Sequence, residues 1–347
     1  MMTINQVLND SMNQIMNLTA LRNKRILITG ASGIIGSAVA EMLMHINQQY
    51  ELGIKLTLTS RNVNKLRNRF PEKPLNQVTF LETDILDISL NSVDYVVHAA
   101  AESTPDRYVS HPVETFKSIV DGTAHLLDEA FRADIRKFIY VSSGEVYGQV
   151  FGEGLIKESD VGFSNHLEVR SSYPTAKRAA ENLVMDYASQ YKLDVNIVRP
   201  SHVFGPHFTG TDQRVSAYFF RRASVGKNIE LTSSGNNERT YVYETDVASA
   251  VLTVMLNAQT GEVFNVTNSK NVTTIAGFAK RIAEIADVQM SFVPANKSEK
   301  LQQSQMSKAL LDNSKLLSLG WKPVVNLELG ITTTLGILEN GKDETNN

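Results

Sequence analysis

Arg25-Ile26-Leu27-Ile28-Thr29, followed at once by Gly30-Ala31-Ser32-Gly33-Ile34-Ile35-Gly36, decides how the chain is read. Five residues with an apolar centre make a short buried strand, and the apolar stretch Gly33–Ile46 then reads as a helix. The glycines fall in the turn between them. Gly30 permits the tight turn, Gly33 lets a pyrophosphate approach the backbone, and Gly36 lets helix and strand pack closely. The helix start adds free N–H groups and a favourable dipole for phosphate, so Gly30, Ser32, Gly33, Ile34, Ile35 and Gly36 are candidate dinucleotide contacts.

Working outward, the same rhythm repeats. Strand-like runs at Ile54–Thr59, Val78–Leu81, Tyr95–His98, Phe138–Val141 and Val195–Val198 alternate with helix-like stretches near His111–Phe131 and over Tyr173–Tyr191. That alternation predicts an α/β fold with a Rossmann-type, doubly wound parallel sheet over residues 22–200. After Arg199-Pro200 the rhythm breaks. Residues 201–339 are expected to form mainly a smaller substrate-binding lobe, with segments returning to the sheet domain: a strand and helix over Tyr241–Leu256, a strand at Gly261–Val266 and an amphipathic helix at Ile275–Ala286. Residues 1–21 read as a helical extension, with Ile4, Val7, Leu8, Ile15 and Met16 at roughly helical spacing, suited to packing on the domain surface or to a dimer contact. Residues 340–347 are polar and expected to be disordered.

The bulk numbers are those of an ordinary globular protein: 347 residues, 42% hydrophobic, 20% charged and a formal net charge of −3. Such a balance points to neither nucleic acid nor an anionic membrane, and no apolar run has the length of a membrane span. The absence of cysteine excludes disulfides, thiolate catalysis and zinc–thiolate sites, and agrees with a reducing cytoplasm. The N-terminus lacks the basic start and apolar block of a signal peptide. His98, His202 and His207 have no metal-ligand spacing. They read as core or loop histidines, and no metal is expected.

In doubly wound sheets, ligands bind beyond the C-terminal ends of the strands. At the end of the second strand, Ser60-Arg61 stands where an acid usually binds the ribose of NAD. Arg61 could pair with the 2′-phosphate of NADP, stack on adenine, or simply be solvated, so NAD and NADP both stay open. Asp84-Ile85, after the third strand, suits an adenine contact or an ordinary turn. Ala99, Ala100 and Ala101, after the fourth, let a cofactor lie against the backbone. Glu102, Ser103 and Arg107 follow and are candidates to line a sugar pocket. The fifth strand ends in Ser142-Ser143-Gly144-Glu145, and the next helix opens with Tyr173 and Lys177 four residues apart, on one face. A tyrosine ionises near pH 10, and a nearby ammonium with an oxidised nicotinamide would favour its phenolate. Tyr173 could then take a hydroxyl proton while Ser143 holds the oxygen.

With these residues together, the chain resembles the extended short-chain dehydrogenase/reductase family from Lys24 to about Leu338. This is the family of nucleotide-sugar epimerases, dehydratases and decarboxylases, and the pattern is nearest to the UDP-glucuronate decarboxylases. The resemblance implies catalysis by Ser143, Tyr173 and Lys177, with oxidation of a sugar hydroxyl, usually at carbon 4, as the first step. It places Glu145 and Glu102 in the sugar pocket, and assigns Arg239, in Glu238-Arg239-Thr240-Tyr241-Val242-Tyr243 with Asp246, to a diphosphate or a sugar carboxylate. Arg214, in Thr211-Asp212-Gln213-Arg214-Val215, resembles a decarboxylase substrate segment, or is a surface charge at a helix start. Leu311-Asp312-Asn313-Ser314-Lys315 and Leu319-Gly320-Trp321-Lys322-Pro323 resemble the C-terminal signature. Two departures stand out. Gly144 occupies the position where dehydratases carry an acid, and Ile119 replaces a frequent asparagine. The expected activity is internal redox of a nucleotide sugar by a decarboxylase or epimerase. The alternatives are an NADPH-dependent reductase of a 4-keto sugar nucleotide and a non-catalytic dinucleotide sensor. Relatives imply a homodimer.

Overall fold

The computed structural model describes residues 4–71, 77–210, 212–295 and 306–343. The chain opens with helix α1 (Ile4–Met12) and enters strand β1 (Arg25–Thr29). Helix α2 (Ile34–Tyr50), strand β2 (Lys55–Ser60), helix α3 (Val63–Arg69), and strands β3 (Val78–Glu82) and β4 (Tyr95–His98) follow. Helices α4 (Pro105–Ser110) and α5 (Pro112–Arg132) lead to β5 (Lys137–Val141), and α6 (Ser172–Tyr191) leads to β6 (Val195–Pro200). Pro112 opens α5 and Pro174 lies in the first turn of α6, where no helical N–H is lost.

Beyond Pro200 come β7 (His202–Phe204), α7 (Val215–Ala223), β8 (Ile229–Leu231), β9 (Glu238–Tyr243), α8 (Glu244–Asn257) and β10 (Glu262–Val266). The chain continues through β11 (Asn268–Thr274), α9 (Ile275–Ile285), β12 (Met290–Phe292), β13 (Lys308–Ala309), α10 (Ser314–Leu317) and α11 (Leu327–Asp343). The main sheet has seven parallel strands in the order β10-β6-β5-β4-β1-β2-β3. Its strands are buried runs such as Lys137-Phe138-Ile139-Tyr140-Val141, because helices cover both faces. One face carries a core with residues from α2 and α8, the other a core with residues from α5 and α6. The strand order reverses between β1 and β4, which opens the ligand crevice at their C-terminal ends.

A third core belongs to the smaller lobe, where β7, β9, β11 and β13 form one sheet and β8 and β12 another. Besides α8, two segments beyond Pro200 pack with the main sheet. Strand β10 extends its edge, and Trp321 is fully buried in the α2–α8 core, its indole N–H donating to Ser249 Oγ at 2.9 Å.

Helix α1 is built into the fold rather than laid on it. Val7, Leu8, Ser11 and Met12 are buried, and Ser11 Oγ donates to Asp246 at 3.2 Å. The tail differs from expectation. Helix α11 runs on through Asp343 instead of ending in disorder at residue 340. Leu335 and Leu338 seat it on the lobe core, and a helix propagates readily past its last anchored turn. Residues 344–347 lie outside the described residues, as does Thr211.

Candidate active site

The glycine loop is shaped by contacts that leave no room for side chains. Gly30 has φ +66°, and a Cβ there would stand 2.7 Å from the Ala100 Cα. A Cβ on Gly36 would stand 2.4 Å from the Gly30 carbonyl oxygen. The first position brings the loop against the end of β4, and the second brings α2 against the loop. Ser37 Oγ fixes the same turn by donating to the Ala31 carbonyl at 3.0 Å.

Beneath the loop, a hydroxyl–imidazole chain joins β1, β4 and α5. Thr123 Oγ1 donates to the Ile119 carbonyl at 2.6 Å, so it accepts from His98 Nε2 at 3.1 Å. His98 Nδ1 therefore accepts from Thr29 Oγ1 at 2.8 Å, while Thr29 accepts from the Ala100 N–H at 3.1 Å. Burial, aided by the charge of Lys177, takes the His98 pKa down to about 3 and keeps the ring neutral. His98 is thus a structural histidine. Ile119, in place of the frequent asparagine, supplies the chain with its backbone carbonyl.

A single cavity of about 1780 Å³ runs from this loop into the lobe. It is lined by all the candidate residues: Gly30, Ser32, Gly33, Ile34, Ile35, Gly36, Ser60, Arg61, Asp84, Ile85, Ala99, Ala100, Ala101, Glu102, Ser143, Glu145, Tyr173, Lys177, Arg214 and Arg239. At its outer end Arg61 is exposed, and Lys65 from α3 lines the same wall. Asp84 Oδ1 caps its own turn by accepting from Leu86 N at 3.1 Å. The Ile85 side chain fills the space beside Gly122 of α5.

At the centre, Ser143 and Tyr173 share a hydrogen bond. Burial holds the phenol above its ordinary range, and that bond pulls the other way. Lys177 is also buried. Its ammonium donates to the Val141 carbonyl at 2.8 Å and lies 4.7 Å from the Tyr140 ring centroid. Burial brings the Lys177 pKa down to about 7, against the pull of Glu181. The expected lowering of the Tyr173 pKa by the ammonium is therefore not a property of the protein groups alone. In this environment desolvation outweighs it.

Two residues absent from the sequence reading complete this centre. Tyr108 of α4 stacks on Tyr173, with ring centroids 5.2 Å apart and planes 15° from parallel. Arg170 grips both oxygens of Glu145, each at 3.2 Å, and its guanidinium lies 5.8 Å from the Tyr108 centroid. Arg170 stands three residues before Tyr173. That spacing, one helical turn upstream of a reactive tyrosine, was the available signal.

The lobe end is cationic. Arg214 begins α7 with its guanidinium and backbone N–H both held by the Asp212 carboxylate. Arg239 is 1% exposed and, among the described residues, donates to carbonyls, Glu238 at 2.8 Å, Met306 at 2.8 Å and Ser307 at 3.4 Å. Carbonyls solvate this buried guanidinium without neutralising it, Glu145 acts on it only at a distance, and an anion entering the cavity would balance it. Glu102 pairs loosely with Arg107 at 3.7 Å. Among the described residues no group of three or more His, Asp or Glu is placed to hold a metal.

A parallel sheet with its switch point at a glycine loop, a serine just past β5, and a tyrosine and lysine on α6 define a dinucleotide-binding α/β enzyme. Residues 26–267 match the NAD dependent epimerase/dehydratase family, and the chain belongs to it. It is 29% identical over 312 residues to UDP-glucuronic acid decarboxylase 6 of Arabidopsis thaliana, covering 89% of this chain and 87% of that protein. It is equally 29% identical over 329 residues to dTDP-D-glucose 4,6-dehydratase of Mus musculus, covering 90% and 88%. Among solved structures, UDP-glucose 4-epimerase of Thermotoga maritima with UDP-glucose aligns with a TM-score of 0.77 at 27% identity, over 92% of this chain and 99% of that one.

Proposed function

We propose that this enzyme modifies a nucleotide-linked sugar through a 4-keto intermediate, as a decarboxylase or an epimerase. The observation that carries the reading is one continuous cavity that joins the glycine loop, the Ser143–Tyr173–Lys177 centre and the buried cation of Arg239. A typical small-molecule pocket measures about 300–1,000 Å³. At about 1780 Å³ this one has room for a dinucleotide and a second nucleotide together.

The residues present suit a nicotinamide dinucleotide. Gly30 and Gly36 let the loop pack tightly on the end of β4 and the start of α2, and Ala99–Ala101 keep the facing wall low. Bound there, the dinucleotide would supply the hydride acceptor that oxidation of the sugar carbon 4 requires. Tyr173 takes the hydroxyl proton, and Ser143, hydrogen-bonded to it, orients the oxygen. Lys177, near neutrality, holds a cation behind them. Glu145 is held in place by Arg170 and faces the same pocket. The residue beside it is Gly144, packed against Leu311 and the Pro200 carbonyl. It offers no acid for a departing hydroxyl, which favours decarboxylation or epimerisation over loss of water.

The family description favours NAD. One observation favours a second reading, an NADPH-dependent reductase: Arg61 and Lys65 line the adenosine end of the cavity, with no acid at the end of β2. We further infer a homodimer through α5 and α6, where Val113, Phe131 and Tyr191 are exposed, and a reducing cytoplasmic setting from the absence of cysteine. Among the described residues no helix is long and apolar enough to cross a membrane, and the near-neutral charge gives no reason to expect nucleic acid.

The test is mass spectrometry of products from a panel of UDP-, dTDP-, GDP- and CDP-sugars with NAD. A rearranged sugar nucleotide without net cofactor change is expected. Carbon dioxide from UDP-glucuronate would establish the decarboxylase. Stoichiometric NADPH consumption with a 4-keto sugar nucleotide would replace this reading by the reductase. No conversion of any sugar nucleotide would sink both.

A further inference from the structure

Two polar side chains in the cavity wall play no part in the chemistry above. His202 on β7 and Tyr241 on β9 stand opposite each other on adjacent parallel strands. Both line the cavity, and their ring centroids are 5.7 Å apart. His202 Nδ1 and Tyr241 Oη are buried, and neither has a hydrogen-bond partner among the described residues. The Tyr241 ring is fixed, stacked on Phe278 with centroids 4.3 Å apart and edge-on to Phe204. Its hydroxyl cannot swing out to solvent without breaking that packing.

Each unsatisfied buried group costs the folded state its lost hydration. Two other buried tyrosine hydroxyls, on Tyr140 and Tyr243, also lack a partner among the described residues, but neither of those residues lines the cavity. Two adjacent unpartnered groups in a cavity wall therefore point to a partner that arrives with the ligand.

We infer that His202 and Tyr241 together bind a hydroxyl group of the substrate's sugar, an inference that rests on the nucleotide-sugar reading. The chemistry favours a hydroxyl over an anion. Burial, with Arg239 and Arg214 nearby, keeps the imidazole uncharged, its pKa down to about 3. A neutral imidazole nitrogen and a phenol offer one donor–acceptor pair, which a hydroxyl complements by accepting from one and donating to the other. Position agrees. Arg239 acts electrostatically on both groups, and Arg214 acts on His202 and Tyr173, so the pair lies between the Arg239 anchor and the reacting centre. The anionic part of the ligand has Arg239 as its natural partner.

The test uses the full chain with NAD, and calorimetric titration of UDP, dTDP, UDP-glucose, UDP-glucuronate and dTDP-glucose into wild type and Tyr241→Phe. The wild type is expected to bind at least one sugar nucleotide. Tyr241→Phe should bind that sugar nucleotide about tenfold more weakly and its parent diphosphate equally well. Its melting temperature should be unchanged or higher, because an unsatisfied buried hydroxyl is gone. His202→Leu should show the same selective loss. Unchanged affinity for the sugar nucleotide in Tyr241→Phe overturns the inference, as does an equal loss for UDP or dTDP alone. A wild type that binds NAD but none of the sugar nucleotides overturns the nucleotide-sugar reading itself, and this inference with it.

Discussion

The two ends of the cavity are built from different materials. The dinucleotide end is made of backbone and missing side chains: Gly30 against Ala100, Gly36 against Gly30, and the neutral Thr29–His98–Thr123 chain beneath. The sugar end is made of charged and aromatic side chains bonded to one another: Glu145 to Arg170, Arg214 to Asp212, Tyr108 on Tyr173. The first must accept a ligand of fixed shape through main-chain atoms. The second must change protonation and bind groups that differ from one sugar to another. It follows that the sugar end tolerates substitution structurally and loses chemistry, whereas the dinucleotide end loses binding.

The largest effect tests the sugar end. Tyr173→Phe removes one hydroxyl from a ring whose stacking on Tyr108 survives. Turnover of any sugar nucleotide should fall about 10²–10⁴-fold, as expected for a lost proton acceptor. Affinity for NAD, read by fluorescence titration, should stay within about twofold, since RT ln 2 is only about 0.4 kcal/mol. Unchanged turnover would leave the non-catalytic sensor as the better account. Gly36→Ala tests the other end. Its Cβ would press on the Gly30 carbonyl at 2.4 Å, where backbone alone can give way. Overpacking of that kind costs about 1–3 kcal/mol. NAD affinity should drop on the order of tenfold to a hundredfold, while the stacking around Tyr173 stays intact. A variant that binds NAD normally would mean that the loop does not hold the dinucleotide.

The sequence was legible to different depths at the two ends, and for physical reasons. Glycines are read from sequence because few residue types permit their geometry. Arg25–Thr29 and Tyr95–His98 are found as strands with the bounds expected, because a fully buried strand must be a continuous apolar run. Tyr173 and Lys177 are recognisable by their helical spacing. The partners at the sugar end carry a weaker local mark, as Arg170 does three residues before Tyr173, or none, as with Tyr108. Tyr108 comes from α4 and Arg170 from the loop before α6, and only the fold brings them to Tyr173 and Glu145. His202 reads as an ordinary loop histidine until its strand is paired with that of Tyr241. The helix over residues 340–343 was missed for a related reason: its anchor, Leu335 and Leu338 on the lobe core, is tertiary.

Arg61 is the one side chain that qualifies this contrast at the dinucleotide end. It is exposed beside Lys65, where the ribose of a dinucleotide bound along β1 and β2 would end. Arg61→Ala should weaken NADP binding about tenfold or more, the range for a charge-assisted bond, and leave NAD binding nearly unchanged. Equal losses for the two dinucleotides would show that Arg61 stacks on adenine. No loss for either would make it a solvated surface charge and remove the support for an NADPH-dependent reductase.

The smallest effect concerns what ties the two ends together. His207, on the loop after β7, bonds Glu244 of α8 through Nδ1 and Glu41 of α2 through Nε2, the latter at 3.1 Å. Arg69 of α3 donates to the His207 carbonyl at 2.8 Å. Burial opposes a charge on this imidazole, but Glu244 and Glu41 outweigh it and lift its pKa to about 9. The ordinary value is about 6.5. The folded state therefore binds this proton more tightly than the unfolded chain, and the stabilisation is fully present below pH 6.5. It is lost as pH rises through about 9. Lys177, brought down to about 7, pulls stability the other way above pH 7, so the check is a difference: the wild-type midpoint should fall relative to that of His207→Gln across this window. His207→Gln should melt lower than the wild type at pH 6.5 and lose that deficit by pH 10, with Arg69 retaining its carbonyl bond. A variant as steeply dependent on pH as the wild type would place the titrating group elsewhere. The two ends of the cavity would then be joined by packing alone, rather than by one charged imidazole between two carboxylates.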